Sequence, residues 1–241
     1  VVVEGQGFSN SITQYDEFKA GAMVDTDNLT PFSMKLRKFV VSFETGTVQR
    51  GAARSFDATV DLTMGGKTQT RDLQVNHPLR IGSTKVHLLG HGYAADVVVR
   101  DGDGKVAYSG PVVFLPQDAN FKSVGVIKAP DARPDRLAFQ GFFLPTGAIT
   151  AGGPTSLFPD ALNPQLYLTA WYGKPTVETG VPSNIYTLDT TGLTQVTNGK
   201  DKARFVLSPG QRYKLPDGKG SIQFNGWQRW AKIQVSQNPG L

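Results

Sequence analysis

Apolar and polar side chains alternate with a period of two wherever this chain shows a pattern. In PFSMKLRKF, Phe32, Met34 and Leu36 fall on one side and Ser33, Lys35 and Arg37 on the other. SFDATVDLTM sets Phe56, Ala58, Val60, Leu62 and Met64 against Asp57, Thr59, Asp61 and Thr63, and QLYLTAWY sets Leu166, Leu168, Ala170 and Tyr172 against Tyr167, Thr169 and Trp171. Successive side chains of an extended strand point to opposite faces, so these stretches predict half-buried strands. Shorter runs with the same look are DVVV, KVAY, PVVFL, LAFQGFF, NIYTL, ARFVL, QRYKL, GSIQF and RWAKIQV. Turn signals separate them: Gly65-Gly66, DGDG at 101–104, GGP at 152–154, DGKG at 217–220 and Asn225-Gly226. No long window carries a 3.6-residue apolar period, and the best helical stretch, QYDEFKAG at 14–21, is only two turns. The pattern predicts an all-β protein, an antiparallel β-sandwich or barrel-like fold. FLPQDANF at 114–121 is a candidate waist between lobes 1–115 and 116–241, and a long loop inside one sandwich fits it equally well.

Composition narrows the chemistry. A chain of 241 residues can bury a real core without staples. It has no cysteine, which excludes a disulfide framework, a Cys-ligated metal and thiol exchange by this segment. No apolar run approaches bilayer-spanning length, and the opening VVVEGQGF, with neither initiator Met nor signal-peptide pattern, predicts a piece of a longer chain. Charge is uneven: residues 1–120 carry 12 Lys+Arg against 13 Asp+Glu, and residues 121–241 carry 13 against 7. The excess lies in residues 200–241, where Lys200, Lys202, Arg204, Arg212, Lys214, Lys219, Arg229 and Lys232 face only Asp201 and Asp217. Such a basic quarter is either a solvated face or a surface for anionic lipid. No nucleic-acid motif accompanies it, so nucleic acid is not expected as a partner.

The three histidines, His77, His87 and His91, fall within QVNHPLRIGSTKVHLLGHGYA. His77 precedes Pro78, which favours extended geometry, and His87 sits in the strand-like TKVHLL. On a straight strand His87 and His91 would stand about 13 Å apart, too far for one metal unless Gly90 and Gly92 make a turn or bulge. No carboxylate has ligand spacing nearby, so no metal site is expected and the three rings are weak cofactor candidates. DGDGK at 101–105 resembles the start of a calcium loop but puts Lys105 and Val106 where an EF-hand needs an oxygen ligand and Gly; it reads as a tight hairpin. G-x-S-x-G, H-E-x-x-H and phosphate-loop motifs are all missing, and no catalytic residue is assigned.

Taken in order, GQGFSNSITQYDEFKAG, LTPFSMKL, VNHPLRIG with LLGHGYA, VRDGDGKVAYSGPVVFLPQD, FPDALNPQLYLTAWYG and LPDGKGSIQFNGWQRWAKIQVSQNPG resemble the large extracytoplasmic domain of ResB-type cytochrome c biogenesis proteins. The resemblance covers essentially the whole chain. Its most specific element is Asn76, His77, Pro78 and Leu79, followed by Gly82. This chain ends in Asn238-Pro239-Gly240 where the family commonly has Asp-Pro-Gly. The resemblance implies a membrane-embedded assembly factor, not an enzyme. With a ResC-type partner it moves haem across the membrane and presents it to the Cys-x-x-Cys-His thiols of apocytochrome c. It also implies that the haem-ligating histidines lie in membrane helices and in the partner. None would then carry over to His77, His87 or His91, and haem is not expected to be iron-ligated by this domain.

The residues alone support a cysteine-free all-β module with a basic C-terminal quarter, and a rival reading is a secreted or cell-envelope β-sandwich that binds a lipid, sugar or other small ligand. Trp227, Trp230, Arg229 and Lys232 suggest a C-terminal end set against the membrane surface, because tryptophan favours the bilayer interface and basic residues favour anionic headgroups. The competing expectation makes both tryptophans core residues of a final strand.

Overall fold

The computed structural model describes residues 1–10, 31–176 and 184–237. In chain order the strands are β1 (Val2–Val3), β2 (Gly7–Ser9), β3 (Ser33–Phe43), β4 (Ala53–Met64), β5 (Lys67–Gln74), β6 (Leu79–Ile81) and β7 (Thr84–Asp101). They continue with β8 (Val106–Pro116), β9 (Ser123–Ala129), β10 (Arg136–Leu144), β11 (Gly147–Thr150), β12 (Gly153–Ser156) and β13 (Gln165–Gly173). The remainder are β14 (Leu193–Gln195), β15 (Thr197–Asn198), β16 (Asp201–Lys202), β17 (Arg204–Leu207), β18 (Arg212–Lys214) and β19 (Gly220–Gln237). Among the described residues the only helical element is a single 3-10 turn at Pro216–Gly218, so the all-β expectation holds. The short helix expected at 14–21 and the closing Asn238-Pro239-Gly240 lie outside the described residues.

The chain forms two compact units, Val1–His91 with Arg229–Leu241, and Gly92–Gln228. The stretch at 114–121, read from sequence as a candidate waist, comprises the end of β8 and most of its connection to β9 and lies wholly within the second unit.

In the first unit β2, β3, β4 and β5 make an antiparallel sheet in that order. The alternation of PFSMKLRKF is real but shifts phase midway. Met34 and Leu36 are buried, then Phe39, Val41 and Phe43, and the change of parity coincides with a register shift between Leu36 and Lys38. A bulge adds one residue to one strand, so Arg37 and Lys38 both reach solvent while the apolar series continues on the inner face. Ala58, Val60 and Leu62 from β4 and Leu73 from β5 complete that face. The Glu4 carboxylate accepts the backbone N–H of Phe39 at 3.2 Å and of Arg229 at 2.8 Å, joining β3 to the middle of β19.

In the second unit the later part of β7 pairs with β8, and β8, β9, β10 and β13 follow as successive antiparallel neighbours. Residues of β13 pair with β14 and with β17, and β18 pairs with the first part of β19. Tyr93, Phe114, Phe139, Phe143 and Phe224 are fully buried around Leu166 and Leu168. Each such ring contributes roughly 1.5–3 kcal/mol through burial. The Tyr93 hydroxyl donates to the Pro159 carbonyl at 2.6 Å, which removes the cost of burying it.

Two sequence expectations fail here. Asn225-Gly226, read as a turn, lies inside β19, which runs unbroken from Gly220 to Gln237 and merges GSIQF and RWAKIQV into one strand. Gly226 adopts φ 147°, a conformation open to glycine and compatible with an extended path, so the dipeptide need not reverse the chain. NIYTL at 184–188, read as a strand, is an irregular turn.

Candidate functional site

The three histidines do not converge. His77 is exposed in a four-residue turn, where its N–H donates to the Gln74 carbonyl at 3.1 Å. His87 and His91 both sit in β7, which neither turns nor breaks at Gly90 or Gly92. Instead the buried parity reverses across the glycines, from Thr84, Val86 and Leu88 to Tyr93, Ala95, Val97 and Val99. The His91 ring packs in the first unit among Phe39, Phe43 and Phe56, with ring centroids 5.7, 6.4 and 4.6 Å away. Burial disfavours its charged form and the Arg229 guanidinium repels it, which together lower its pKa to about 4. A neutral imidazole in a phenyl cluster is a packing element. Among the described residues no group of three or more His, Cys, Asp or Glu could hold a metal ion.

The Asn76–Gly82 motif is also built into the backbone. Asn76 takes φ 69° at the third position of the turn closed by His77, the left-handed position that type II turns reserve for Gly or Asn. Pro78 then holds the chain extended into β6, Leu79 is buried, and Gly82, at φ 60°, begins the two-residue reversal between Ile81 and Thr84. DGDGK makes the β7–β8 hairpin. Asp101 folds back onto its own backbone, accepting N–H bonds from Asp103 at 2.9 Å, Lys105 at 3.0 Å and Arg133 at 3.1 Å. Burial alone would raise the Asp101 carboxyl; the three donors and the Lys105 ammonium outweigh it and hold the pKa below the usual carboxylate value.

The C-terminal residues correct a further expectation. Trp230 is 5% exposed and Arg229 6%, while Trp227 is half-buried with its ring centroid 5.4 Å from that of Tyr93. Indoles packed in a core are not presented to a headgroup region, so of the four residues assigned to a membrane surface only Lys232 is exposed. Trp230 is drawn inward by pairing with Val3, a contact remote in sequence. The remaining basic residues do reach solvent: Lys200, Lys202, Arg204, Arg212 and Lys214 are all exposed. Lys219 is held between Asp135, at 3.6 Å, and the face of Tyr172, at 3.8 Å.

A recess in the second unit involves none of these sites. It is an open groove of about 590 Å³ on the solvent side of β9, β10 and β13, within the size range of small-molecule sites. Val124, Phe142 and Tyr167 are cross-strand neighbours on its floor, with Val126, Gln140, Thr169 and Arg204 alongside. The Phe142 and Tyr167 rings lie 6.5 Å apart. Pro154 and the Tyr186–Leu188 segment form its walls, and among the described residues no carboxylate lines it. Lys122 holds its ammonium 4.3 Å from the Phe142 ring centre. Sequence reading passed over these residues, although QLYLTAWY had already placed Tyr167, Thr169 and Trp171 opposite the buried leucines; aromatic side chains on the outer side of an alternating strand were the signal.

No helix among the described residues is long and apolar enough to cross a membrane. No curated protein and no solved structure matches the chain. The model of the ResB-like family matches residues 1–241, from the first residue to the last. A whole-length match, together with a turn that uses Asn76, Pro78, Leu79 and Gly82 as backbone hardware, makes this chain a member of the ResB-like family, with a general role in cytochrome c biogenesis.

Proposed function

We propose that this chain is the extracytoplasmic domain of a membrane-bound cytochrome c assembly factor. With a ResC-type membrane partner it exports haem and presents it for attachment to apocytochrome c. Haem is cargo in this reading, not a resident cofactor, and the domain is a binding scaffold and not an enzyme. The observation that carries the proposal is the family match over the whole chain. An all-β unit with a recess on one sheet face is compatible with a presenting role. The exposed Lys200, Lys202, Arg204, Arg212 and Lys214 would favour an anionic membrane surface by about 1 kcal/mol for each residue that approaches it.

The test uses a bacterium whose own ResB-like gene is deleted, supplied with the full-length protein either intact or lacking the segment that corresponds to residues 1–241. Covalent haem staining of the c-type cytochromes should be restored only by the intact form. Full restoration by the truncated form would overturn the proposal. Protease added to intact spheroplasts should cleave the domain; complete protection would overturn the extracytoplasmic placement.

A further inference from the structure

We propose that the β11–β12 hairpin and the bend that follows it, residues 145–164, enter the interfacial region of a lipid bilayer, inserting as an uncharged, self-bonded element without help from headgroup charge. The inference rests on the membrane-bound reading and adds which part of the domain meets the lipid.

The first observation is the absence of charge from an exposed surface. The segment PTGAITAGGPTSLFPDALNP contains a single charged side chain, Asp160, in a chain that is 19% charged. None of its exposed residues is ionisable, and three of them are large aliphatics: Ile149 is 56% exposed, Leu157 62% and Leu162 64%. The other hairpin turns differ, since Lys67 follows Gly65-Gly66, Asp103 and Lys105 flank Gly104, and Lys200 stands beside Asp201. Charged tips belong in water, whereas neighbouring exposed aliphatic groups without charge mark a surface that is covered.

The second observation is that the segment's polar groups are turned onto the segment itself. The Thr146 hydroxyl donates to the Asp160 carbonyl at 2.7 Å, the Thr150 hydroxyl to Gly153 at 3.1 Å and the Ser156 hydroxyl to Phe158 at 3.0 Å. The Asn163 amide donates to the Gly147 carbonyl at 2.9 Å, and the Asp160 carboxylate accepts the N–H of Ala161 at 2.9 Å. Beyond the β11–β12 ladder, the N–H groups of Leu157 and Asn163 donate to the Thr146 and Pro145 carbonyls at 2.8 and 3.1 Å. Lipid offers no hydrogen-bond partner to a backbone or hydroxyl group, so an element that satisfies its own polar groups is the kind that can enter it.

The third observation separates lipid from a protein partner. Ile149 shares one face of the ribbon with its partner Pro154 and with the Gly147–Ser156 pair. Ser156 is buried and Leu157, the next residue, is exposed, so by strand alternation Leu157 stands on the opposite face. A protein surface covers one face of a ribbon, while lipid surrounds both. Trp, Tyr and Arg, the usual anchors of protein–protein contacts, are also missing from the segment. Each strand has four residues and reaches about 13 Å, which suits the interfacial zone and not a full span.

The test uses the 241-residue chain, whose lack of cysteine allows one introduced thiol to carry an environment-sensitive nitrobenzoxadiazole label. On phosphatidylcholine vesicles at high salt, labels at Ile149→Cys and Leu157→Cys should shift to the blue and be quenched by acyl-chain-brominated lipid; a label at Lys67→Cys should do neither. In flotation, Ile149→Asp and Leu157→Asp should each weaken vesicle binding about tenfold, and Lys200→Glu should leave it unchanged. All these side chains are exposed, and unchanged melting curves would verify that the variants fold. Labels that stay in water at high lipid concentration would overturn the hairpin. So would binding that requires anionic lipid and vanishes in salt, which would assign the contact to the basic residues. A concentration-dependent dimer abolished by Ile149→Asp would overturn it in favour of a second copy of the chain. The cytochrome-staining assay judges the membrane-bound reading separately: success there with both labels in water sinks the hairpin alone.

Discussion

The solvent face of the first unit's sheet and that of the second are made of different chemistry. On β3, β4 and β5 the outward side chains form a hydroxyl and ion-pair mesh. Asp61 receives both a bidentate Arg37 guanidinium, at 3.0 Å for each contact, and the Thr70 hydroxyl at 3.0 Å, while Thr63 pairs with Thr68 and Ser42 with Ser55. On β9, β10 and β13 the equivalent positions hold Val124, Phe142 and Tyr167. The first face satisfies its polar atoms locally, and its own recess, of about 470 Å³, is lined largely by polar residues such as Ser33, Lys35, Asp61, Thr63 and Thr68. The second leaves apolar surface and the Arg204 guanidinium facing solvent, with the Lys122 ammonium laid on the Phe142 ring, and contiguous exposed apolar surface of this kind marks a contact surface. Candidate function therefore moves from the histidine-bearing strand, where sequence attention falls first, to a face with no histidine at all.

The comparison breaks most readily at a pair of neighbours on β10. Phe143 is fully buried and Phe142 half-buried on the opposite side. In urea unfolding, Phe143→Ala should cost about 3–5 kcal/mol and Phe142→Ala about 1 kcal/mol. Equal costs would make the outer row part of the core and dissolve the distinction.

A second measurement concerns the inner face of the first unit. His91 titrates at about 4 in the fold and at 6.5 when free, because burial and Arg229 oppose its charge. The unfolded chain takes up the proton first. The full contribution is thus present above pH 6.5 and is lost as pH falls toward 4, by at most about 3 kcal/mol and less where water reaches the ring. His91→Leu should flatten that part of the stability–pH curve; an unchanged slope would show that the imidazole is not what titrates there.

Asp61→Ala sharpens the contrast from the polar side. Its bonds are to exposed partners, so the loss should be about 0.5–1 kcal/mol and should shrink in high salt. A salt-independent loss would place Asp61 in a drier setting than the mesh described. The smallest effect is expected for Asn76→Gly, because the left-handed φ of 69° suits glycine: it should change stability by no more than a few tenths of a kcal/mol, whereas Asn76→Val should cost about 1–2 kcal/mol. Equal melting curves for the two would mean the positive φ is not maintained in solution.

Much of this protein was legible without coordinates because a strand's two faces are written in a period of two. PFSMKLRKF, SFDATVDLTM and QLYLTAWY became β3, β4 and β13 with most of the anticipated residues inside; Phe56 and Tyr172 are half-buried, and Met64, at the end of β4, is exposed. DGDG became a hairpin because Asp101 can satisfy its neighbours' N–H groups whatever lies elsewhere. The Asn76–Gly82 run could be recognised as a motif, yet its meaning as a pair of turns needed the dihedral angles. Where local and distant forces compete, the reading failed. Asn225-Gly226 has the composition of a turn, but pairing of β19 with β18 before it and with β1 after it keeps the strand extended. Trp230 shares its side of the strand with Lys232 and Gln234, and its burial is settled only where Val3, more than two hundred positions away, is placed beside it. The groove was least visible of all, since Val124, Phe142, Tyr167 and Arg204 come from four strands and share nothing in sequence but their parity. Alternation determined which side chains share a face of each strand. Which faces are buried, which satisfy themselves and which are left for a partner was decided only by the cross-strand neighbours, because burial belongs to contacts between segments and not to any one of them.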